Sequence, residues 1–167
     1  QEKYLRFFEG KNPVIDIGCG RGEFLEMLVE RGWDAYGIDL SRDMVLLCRD
    51  LGLDVQQEDA IEHLQSRGDE EIGGIFCSQF VEHLSAQDLI DYIELCHTKL
   101  KPGGILIAET VNPQCLSVFA NTFYVDLTHH NPVHPRTLKF LMESIGFMRV
   151  EIEYCSFYPR EHMLRKL

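Results

Sequence analysis

Three glycines alternate near the start of the chain, in the stretch Val14-Ile-Asp-Ile-Gly-Cys-Gly-Arg-Gly22. The apolar residues before Gly18 predict a strand and those after Gly22 predict a helix, so the glycines lie in the turn between the two. Such a turn lets backbone N–H groups and a helix N-terminus approach a ligand closely. A dinucleotide-binding loop has the pattern Gly-x-Gly-x-x-Gly, but here Glu23 stands in the place of the last glycine. A carboxylate there disfavours a pyrophosphate, so the pattern indicates a less anionic ligand.

Carboxylates follow the next two predicted strands. Asp39 ends the second strand, where an acidic residue suits the two hydroxyls of a ribose. Glu58 and Asp59 follow the third strand, where a carboxylate would accept a hydrogen bond from an adenine amino group. Because open α/β sheets bind ligands at the carboxyl ends of their strands, we expect these residues to meet the glycine loop. The ligand that they indicate has a ribose, a base and no pyrophosphate.

Short apolar runs alternate with helical patterns along most of the chain, which predicts βαβ units and a doubly wound α/β fold with a mostly parallel sheet. The predicted strands are residues 13–17, 35–38, 54–57, 74–78, 105–109 and 149–157. The predicted helices are residues 23–31, 60–65 and 135–145, with two more that Ser41 and Ser85 are expected to cap and that end at 51 and 99, respectively. Residues 101–104 predict a turn into the fifth strand.

The composition indicates one globular domain, since 167 residues suffice for a single core and 45% of them are hydrophobic. A formal net charge of −11 and the lack of a long basic run argue against a nucleic-acid partner. The apolar run over residues 105–111 is too short for a transmembrane helix, and the N-terminus has no signal-peptide core. Six cysteines without a Cys-x-x-Cys pair are typical of reduced thiols. We therefore expect a cytoplasmic protein with no membrane partner.

Taken together, the motifs resemble those of the class I S-adenosylmethionine-dependent methyltransferases. The matching segments are the glycine loop, Gly37-Ile-Asp39, Asp59-Ala60, residues 78–84 and Leu100-Lys-Pro-Gly-Gly104. The resemblance covers roughly residues 12–157 and implies a single Rossmann-like methyltransferase domain over residues 1–167. Residues 12–110 would bind the cofactor, residues 112–134 would form an acceptor-side loop, and residues 135–158 would add a helix and a strand. The antiparallel strand that normally ends the family's sheet is not found in the sequence.

The resemblance implies that S-adenosylmethionine is the cofactor and S-adenosylhomocysteine the product. Asp16 and the backbone from Gly18 to Gly20 would hold the amino and carboxylate groups of the methionine part, and Asp39 would bind the ribose. The full set of cofactor-binding residues that the resemblance implies is Asp16, Gly18, Cys19, Gly20, Gly22, Asp39, Leu40, Met44, Asp59, Ala60, Ser78 and Gln79.

The remaining members of this set would contact the base and the reacting centre, as the resemblance implies. Leu40 and Met44 would pack on the adenine ring, and Asp59 would accept a hydrogen bond from the adenine amino group. Ser78 and Gln79 would pass under the sulfonium carbon. The methyl group would then point toward the acceptor pocket.

Glu82 and His83 lie where ubiquinone-pathway O-methyltransferases and small-RNA 3′-end methyltransferases carry a metal-binding Glu-x-x-Glu-His pattern. Here Gln79 replaces the first Glu, and a neutral amide is a poorer ligand for hard cations than a carboxylate. The alternative is that Glu82 and His83 only lead into the helix that begins after Ser85. We therefore predict that activity needs no divalent metal.

A polar segment over residues 112–134 contains three histidines within six positions, His129, His130 and His134. A histidine ordinarily titrates near neutrality, so it can take the proton of an attacking hydroxyl. We predict His129 as the first candidate for this base and His134 as the second. His134 directly precedes Pro135, so it has the alternative role of holding the start of the next helix.

The same segment is expected to cover the acceptor pocket, because Phe119, Phe123 and Tyr124 add apolar surface that would exclude water. Its histidine and proline pattern also resembles one found in methyltransferases encoded among cell-surface polysaccharide genes. The predicted reaction is O-methylation of a small molecule or glycan by direct displacement. Two alternatives remain open, an NAD-linked oxidoreductase, which Glu23 disfavours, and a non-catalytic nucleoside-binding domain.

Overall fold

Five parallel strands form the sheet in the structure, a computed structural model that describes residues 1–121 and 123–155. The strands are β1 (Val14–Ile17), β2 (Ala35–Asp39), β3 (Val55–Gln57), β4 (Ile72–Ser78) and β5 (Leu100–Glu109). Their order in the sheet is β3-β2-β1-β4-β5, and all four neighbouring pairs are parallel. The predicted doubly wound α/β fold is confirmed.

The central strand β1 determines where a ligand can bind. Its four residues are buried, as expected for a parallel strand covered on both faces. Asp16 pairs in register with Gly37 of β2 on one side and with Phe76 of β4 on the other. The strand order reverses between β1 and β4, and open α/β sheets bind ligands at such a reversal. The glycine loop follows β1 at this point.

Seven α-helices surround the sheet in the described part of the chain. They are α1 (Leu5–Phe8), α2 (Glu23–Val29), α3 (Arg42–Asp50), α4 (Ala60–Ser66), α5 (Ala86–Lys99), α6 (Leu116–Asn121) and α7 (Pro135–Ile145). Single 3₁₀ turns cover Glu2–Tyr4, Val81–His83 and Phe123–Val125. Among the residues that the structure describes, no helix is long and apolar enough to cross a membrane.

Side chains cap three of these helices in the described part of the chain, and His134 caps α7. Ser85 Oγ accepts a hydrogen bond of 3.1 Å from the Asp88 N–H, which confirms the cap predicted for α5. The Asp59 carboxylate caps α4 by accepting from the N–H groups of Ile61 and Glu62. The predicted Ser41 cap is wrong in detail, because the Ser41 side chain makes no capping bond at the start of α3.

Both faces of the sheet are covered by an apolar core. On one face, Ile15, Ile17 and Ile75 of the sheet belong to the same cluster as Leu64 of α4, Tyr92 and Ile93 of α5, and Met142 of α7. The opposite face carries Tyr4, Leu5, Phe8, Val14, Phe24, Leu28 and Phe76. The alternation of side chains along β1 explains the division, since successive residues of a strand point to opposite faces.

The N-terminal helix was not predicted from the sequence. Phe8 is fully buried, and its ring lies 5.6 Å from Phe24 and 6.3 Å from Phe76, between centroids. Gly74 makes this possible, because a Cβ at that position would lie 2.6 Å from the Phe8 ring. A pattern that spans only four helical residues is too short to be recognised by its periodicity.

Two predictions about strands need correction. The predicted sixth strand is wrong for residues 149–155, which contain no strand, and residues 156–157 lie outside the described part. This segment instead makes individual side-chain hydrogen bonds to its neighbours, such as the 2.9 Å bond from Tyr154 OH to Gln114 Oε1. Residues 101–104 belong to β5, where they form an irregularity because Leu100 pairs with Ile72 and Ile105 pairs with Gly74.

Candidate active site

A cavity of about 160 Å³ lies at the carboxyl ends of β1 and β4. Five of the predicted cofactor residues line it together, Asp16, Gly18, Cys19, Gly20 and Ser78. The prediction did not include four other lining residues, which are Gln1, Glu23, Phe24 and Phe76. Of these, Glu23 carried a signal in the sequence, since a carboxylate in a glycine loop already indicated that the ligand is not a pyrophosphate.

The N–H groups of the glycine loop are engaged within the protein. Those of Gly18 and Cys19 donate to the Ile38 carbonyl at 2.9 and 3.1 Å, and that of Gly20 donates to Asp39 Oδ2 at 2.9 Å. These bonds fasten the loop to the end of β2. The polar side chains that line the cavity, including Asp16, are therefore the more available groups for a ligand.

Gly22 has a different role from the other two glycines of the loop. Its backbone is left-handed, with φ of +79°, and it begins α2. A Cβ at this position would lie 2.7 Å from Leu53 and 3.0 Å from Cys48 Sγ, so only glycine allows α2 to start this close to α3. Gly22 thus shapes the loop, and it is not among the residues that line the cavity.

The cavity is acidic. Asp16 is only 3% exposed, and burial together with the charges of Asp39 and Glu23 raises its pKa to about 8. A buried carboxyl group without a compensating cation favours its neutral form. A cationic ligand in this cavity would favour the carboxylate and would be bound more tightly because of it. The electrostatics therefore select for positive charge on the ligand.

A second group of predicted residues lies at the ends of β2 and β3. Leu40 is 67% exposed, and its carbonyl accepts from Gln57 Nε2 at 3.2 Å, which joins the two loops. Met44 is half-buried on α3. Asp59 uses Oδ1 to cap α4, which leaves Oδ2 for a ligand, whereas Ala60 is buried in the core. These residues do not line the cavity itself.

Gln79 has a left-handed backbone with φ of +52°, and its N–H donates to the Glu109 carbonyl at 2.8 Å. The bond connects the end of β4 to the end of β5. Gln79 does not line the cavity, whereas its neighbour Ser78 does. The strained backbone at Gln79 marks the place where the chain turns away from the sheet toward Glu82.

Glu82 is a buried carboxylate beside this turn. Its Oε2 accepts a hydrogen bond of 2.7 Å from Thr110 Oγ1, while Oε1 is buried without a partner in the described part of the chain. The Glu82 carbonyl accepts from the N–H groups of His130 at 2.9 Å and Asn131 at 3.3 Å. The predicted acceptor-side loop is thereby attached to the carboxyl ends of β4 and β5.

His83 and His129 lie next to this carboxylate. His129 Nδ1 lies 2.8 Å from the Phe123 carbonyl, and His83 Nδ1 lies 3.2 Å from the Thr128 carbonyl. A carbonyl only accepts, so each Nδ1 carries a proton, and in the neutral tautomer of each ring Nε2 is the nitrogen with the lone pair. The His129 side chain is 9% exposed, so it is held in place and not mobile as a free loop residue would be.

The three side chains form a compact donor set. One ligand atom each from Glu82, His83 and His129 lies within 4.8 Å of the others. A carboxylate and two imidazoles suit a divalent cation, and the unpartnered Glu82 Oε1 is the kind of buried oxygen that such an ion would satisfy. The sequence pattern pairs Glu82 only with His83, whereas His129 approaches from a distant part of the chain.

His134 has the alternative role that its sequence context indicated. It is the N-cap of α7, and its Nδ1 accepts a hydrogen bond of 3.1 Å from the Arg136 N–H. A capping imidazole has one nitrogen committed to the backbone. The geometry therefore favours His129 over His134 as the residue that acts on an acceptor.

The aromatic residues predicted to cover the acceptor pocket differ in their exposure. Phe123 is 2% exposed and its ring stacks on His129 with 4.9 Å between centroids, whereas Tyr124 is 70% exposed. The side chain of Phe119 lies outside the described residues. Phe123 therefore orients His129 and does not form an outer cover.

A parallel sheet with an acidic glycine-loop cavity at the strand-order reversal defines a domain that binds a nucleoside cofactor. Residues 1–152 match the protein family described as a methyltransferase domain. The chain belongs to this family, the class I S-adenosylmethionine-dependent methyltransferases. Family membership removes the NAD-linked oxidoreductase from consideration.

The relatives include proteins with named activities. An S-adenosylmethionine-dependent methyltransferase structure from Archaeoglobus fulgidus is 42% identical, with a TM-score of 0.89, over 93% of this chain and 69% of that one. A ubiquinone biosynthesis O-methyltransferase from Hydrogenovibrio crunogenus is 27% identical, over 94% of this chain and 70% of the relative. The protein of the same name from Methylococcus capsulatus is 34% identical, and the chain covers only 43% of its length.

Proposed function

We propose that the chain binds S-adenosylmethionine and transfers its methyl group to a hydroxyl of a small molecule. The observation that carries the proposal is the acidic cavity at the glycine loop, in which Asp16 is buried with two other carboxylates nearby. S-adenosylmethionine carries an ammonium and a sulfonium against one carboxylate, so it supplies a net positive charge, which this cavity lacks. The names of the O-methyltransferase relatives support a hydroxyl as the acceptor.

The cofactor would lie across the carboxyl ends of β1, β2 and β3. Asp16 and Glu23 would attract the ammonium of the methionine part. Asp39 would accept from the ribose hydroxyls, since a carboxylate has about four lone-pair sites and the two backbone N–H groups use only part of them. Asp59 Oδ2 would accept from the adenine amino group, with the exposed Leu40 side chain against the ring.

His129 would act as the base. Because Nδ1 donates to the Phe123 carbonyl, Nε2 would be the nitrogen that accepts a proton when the ring is neutral. The acceptor oxygen attacks the methyl carbon, the carbon–sulfur bond breaks with its electron pair staying on sulfur, and the hydroxyl proton passes to His129 Nε2. The products are a methyl ether and S-adenosylhomocysteine. Alignment of donor and acceptor would supply much of the acceleration, on the order of 7–11 kcal/mol.

A second arrangement of the same cluster is favoured by the unpartnered Glu82 Oε1. Glu82, His83 and His129 would then hold a divalent cation, which supplies charge that lowers the pKa of a bound hydroxyl. His129 would act as a ligand in that case and another group would take the proton. The two arrangements differ in their response to a chelator.

The proposal of a small-molecule acceptor is tested in two stages. Calorimetry with S-adenosylhomocysteine measures cofactor binding, with Asp16→Asn as a variant that keeps the shape of the side chain but removes its charge. Methyl transfer from labelled S-adenosylmethionine is then measured with catechols and with hydroxyl sugars as probes. No binding of S-adenosylhomocysteine would overturn the proposal. Binding without transfer to either probe class would favour the non-catalytic nucleoside-binding domain, and transfer to sugars alone would favour a glycan acceptor.

A further inference from the structure

A fully buried histidine joins three elements beneath the predicted adenine site. His63 on α4 is 0% exposed. Its Nδ1 lies 2.6 Å from Glu58 Oε2, and its Nε2 lies 3.1 Å from the Tyr36 hydroxyl on β2. Both ring nitrogens are therefore paired, which a buried imidazole requires.

The protons of this network can be placed. Burial raises the pKa of Tyr36 to about 12, so its phenol is neutral at pH 7 and can donate to His63 Nε2. A carboxylate oxygen accepts, so His63 Nδ1 carries a proton and donates to Glu58. The bond from a buried ring to a Glu58 side chain that is 42% exposed restrains the β3–α4 loop from below.

Glu58, which His63 holds in this way, lies next to the residue that is predicted to recognise the base, Asp59. Asp59 follows Glu58 directly, and Asp59 Oδ1 accepts from Ile61 N–H at 2.9 Å and from Glu62 N–H at 3.1 Å. Asp59 is thus fixed by the cap on one side and by its neighbour's bond on the other. Its Oδ2 makes no hydrogen bond within the described residues, and the two restraints determine where this oxygen points.

We propose that His63, acting through Glu58, is a positioning residue that orients Asp59 for recognition of the cofactor's adenine amino group. The proposal rests on the proposed function, because it needs Asp59 to contact the base. A histidine whose only role was to fill the core would not need an exposed partner. A purely apolar residue would fill the same space at lower cost, since burial of a polar ring is unfavourable unless both nitrogens are paired.

The test compares two ligands that differ only in the amino group. The probes are S-adenosylhomocysteine and its analogue with hydrogen in place of the 6-amino group, each measured by calorimetry on the full chain. The variant His63→Phe replaces the imidazole with a somewhat larger apolar ring and removes both bonds. We expect its affinity for S-adenosylhomocysteine to fall about fivefold to tenfold and its affinity for the analogue to change by less than about twofold. His97→Phe, the same change at an exposed position on α5, is the control and should affect neither.

A second variant keeps the proposal testable if His63→Phe does not fold. Glu58→Ala removes the same bond from the exposed side, and it should produce the same selective loss, with Glu58→Gln recovering part of it. An equal loss for both ligands would show that His63 only supports the fold and would overturn the proposal. If the wild-type protein binds both ligands equally, Asp59 does not read the amino group and the proposal fails, while the binding itself still supports the proposed cofactor.

Discussion

The carboxylate of Asp39 accepts a 2.9 Å hydrogen bond from the backbone N–H of Gly20 through Oδ2, while its Oδ1 accepts one of 2.8 Å from Ser41 N–H. The residue that would bind the ribose therefore also holds the glycine loop against β2. Cofactor binding and loop geometry depend on the same side chain. Substitutions at Asp39 should affect both, whereas substitutions at Leu40 should affect only the base.

Asp39→Ala should weaken the binding of S-adenosylmethionine by at least about tenfold, because each lost charge-assisted bond costs about 1.5–3 kcal/mol. The chain should remain folded, with a melting temperature lower by a few degrees since the Gly20 bond is also lost. Calorimetry and thermal melting measure the two effects. Leu40→Ala is the control, with the melting temperature unchanged. Unchanged affinity in Asp39→Ala would contradict the ribose assignment.

Cofactor affinity should rise with pH. In the unliganded protein the pKa of Asp16 is about 8, above its ordinary value of 3.8. Its contribution to stability is therefore full below about pH 4 and is lost as the pH rises through about 8. A cationic cofactor needs the carboxylate, so binding should release a proton below about pH 8. Calorimetry in buffers of different ionisation enthalpy measures this release, and Asp16→Asn should abolish it. A release that persists in Asp16→Asn would assign the proton to another group.

Turnover should persist in an excess of chelator, as the replacement of a ligand by Gln79 predicts. The test is informative because Glu82, His83 and His129 provide three ligand atoms within 4.8 Å of one another, which could bind a metal ion. The measurement is methyl transfer before and after chelation, followed by addition of magnesium or zinc. Activity that disappears with the chelator and returns with the metal would show that the three side chains are ligands.

His129→Ala should impair turnover, whereas His134→Ala should impair stability. Loss of a base should lower turnover by about 10²–10⁴-fold with cofactor affinity unchanged, which we expect for His129. His134→Ala should leave turnover nearly unchanged but should cost about 1 kcal/mol of stability, because α7 loses its N-cap. Kinetics with the accepted substrate and thermal melting separate the two. Normal turnover in His129→Ala would leave deprotonation to water or to a bound cation.

Much of the sheet could be predicted because its information is local. The strands β1 and β4 are buried and mostly apolar, and the alternating glycines after Ile17 mark a turn that few other residues allow. Asp39 and Asp59 were placed correctly at strand ends for the same reason. The position of each depends only on the residues beside it.

The remaining features depend on contacts between distant residues. His83 meets Thr128, 45 positions later, and no spacing in the sequence indicates this pair. Phe8 is buried because Gly74, 66 positions later, has no side chain and leaves room for the Phe8 ring against the sheet. The residues His63 and Glu58 are close in the sequence, but His63 is buried, and so able to restrain Glu58, only because α4 packs against α5. These contacts are determined by tertiary packing, which the hydrophobic periodicity of the sequence does not indicate.

The attachment of residues 126–131 to the turn over Val81–His83 has a consequence for protein engineering. The backbone of Glu82 holds His130 and Asn131, and His83 holds Thr128, so the acceptor-side loop and the turn after β4 form one interlocked unit. Exchange of the loop alone with a relative would keep the backbone bonds only if the new loop followed the same path, and it would lose the contact between His83 and the Thr128 side chain wherever the threonine is replaced. Acceptor preference should therefore transfer between relatives only when both segments are exchanged together, as a discontinuous module.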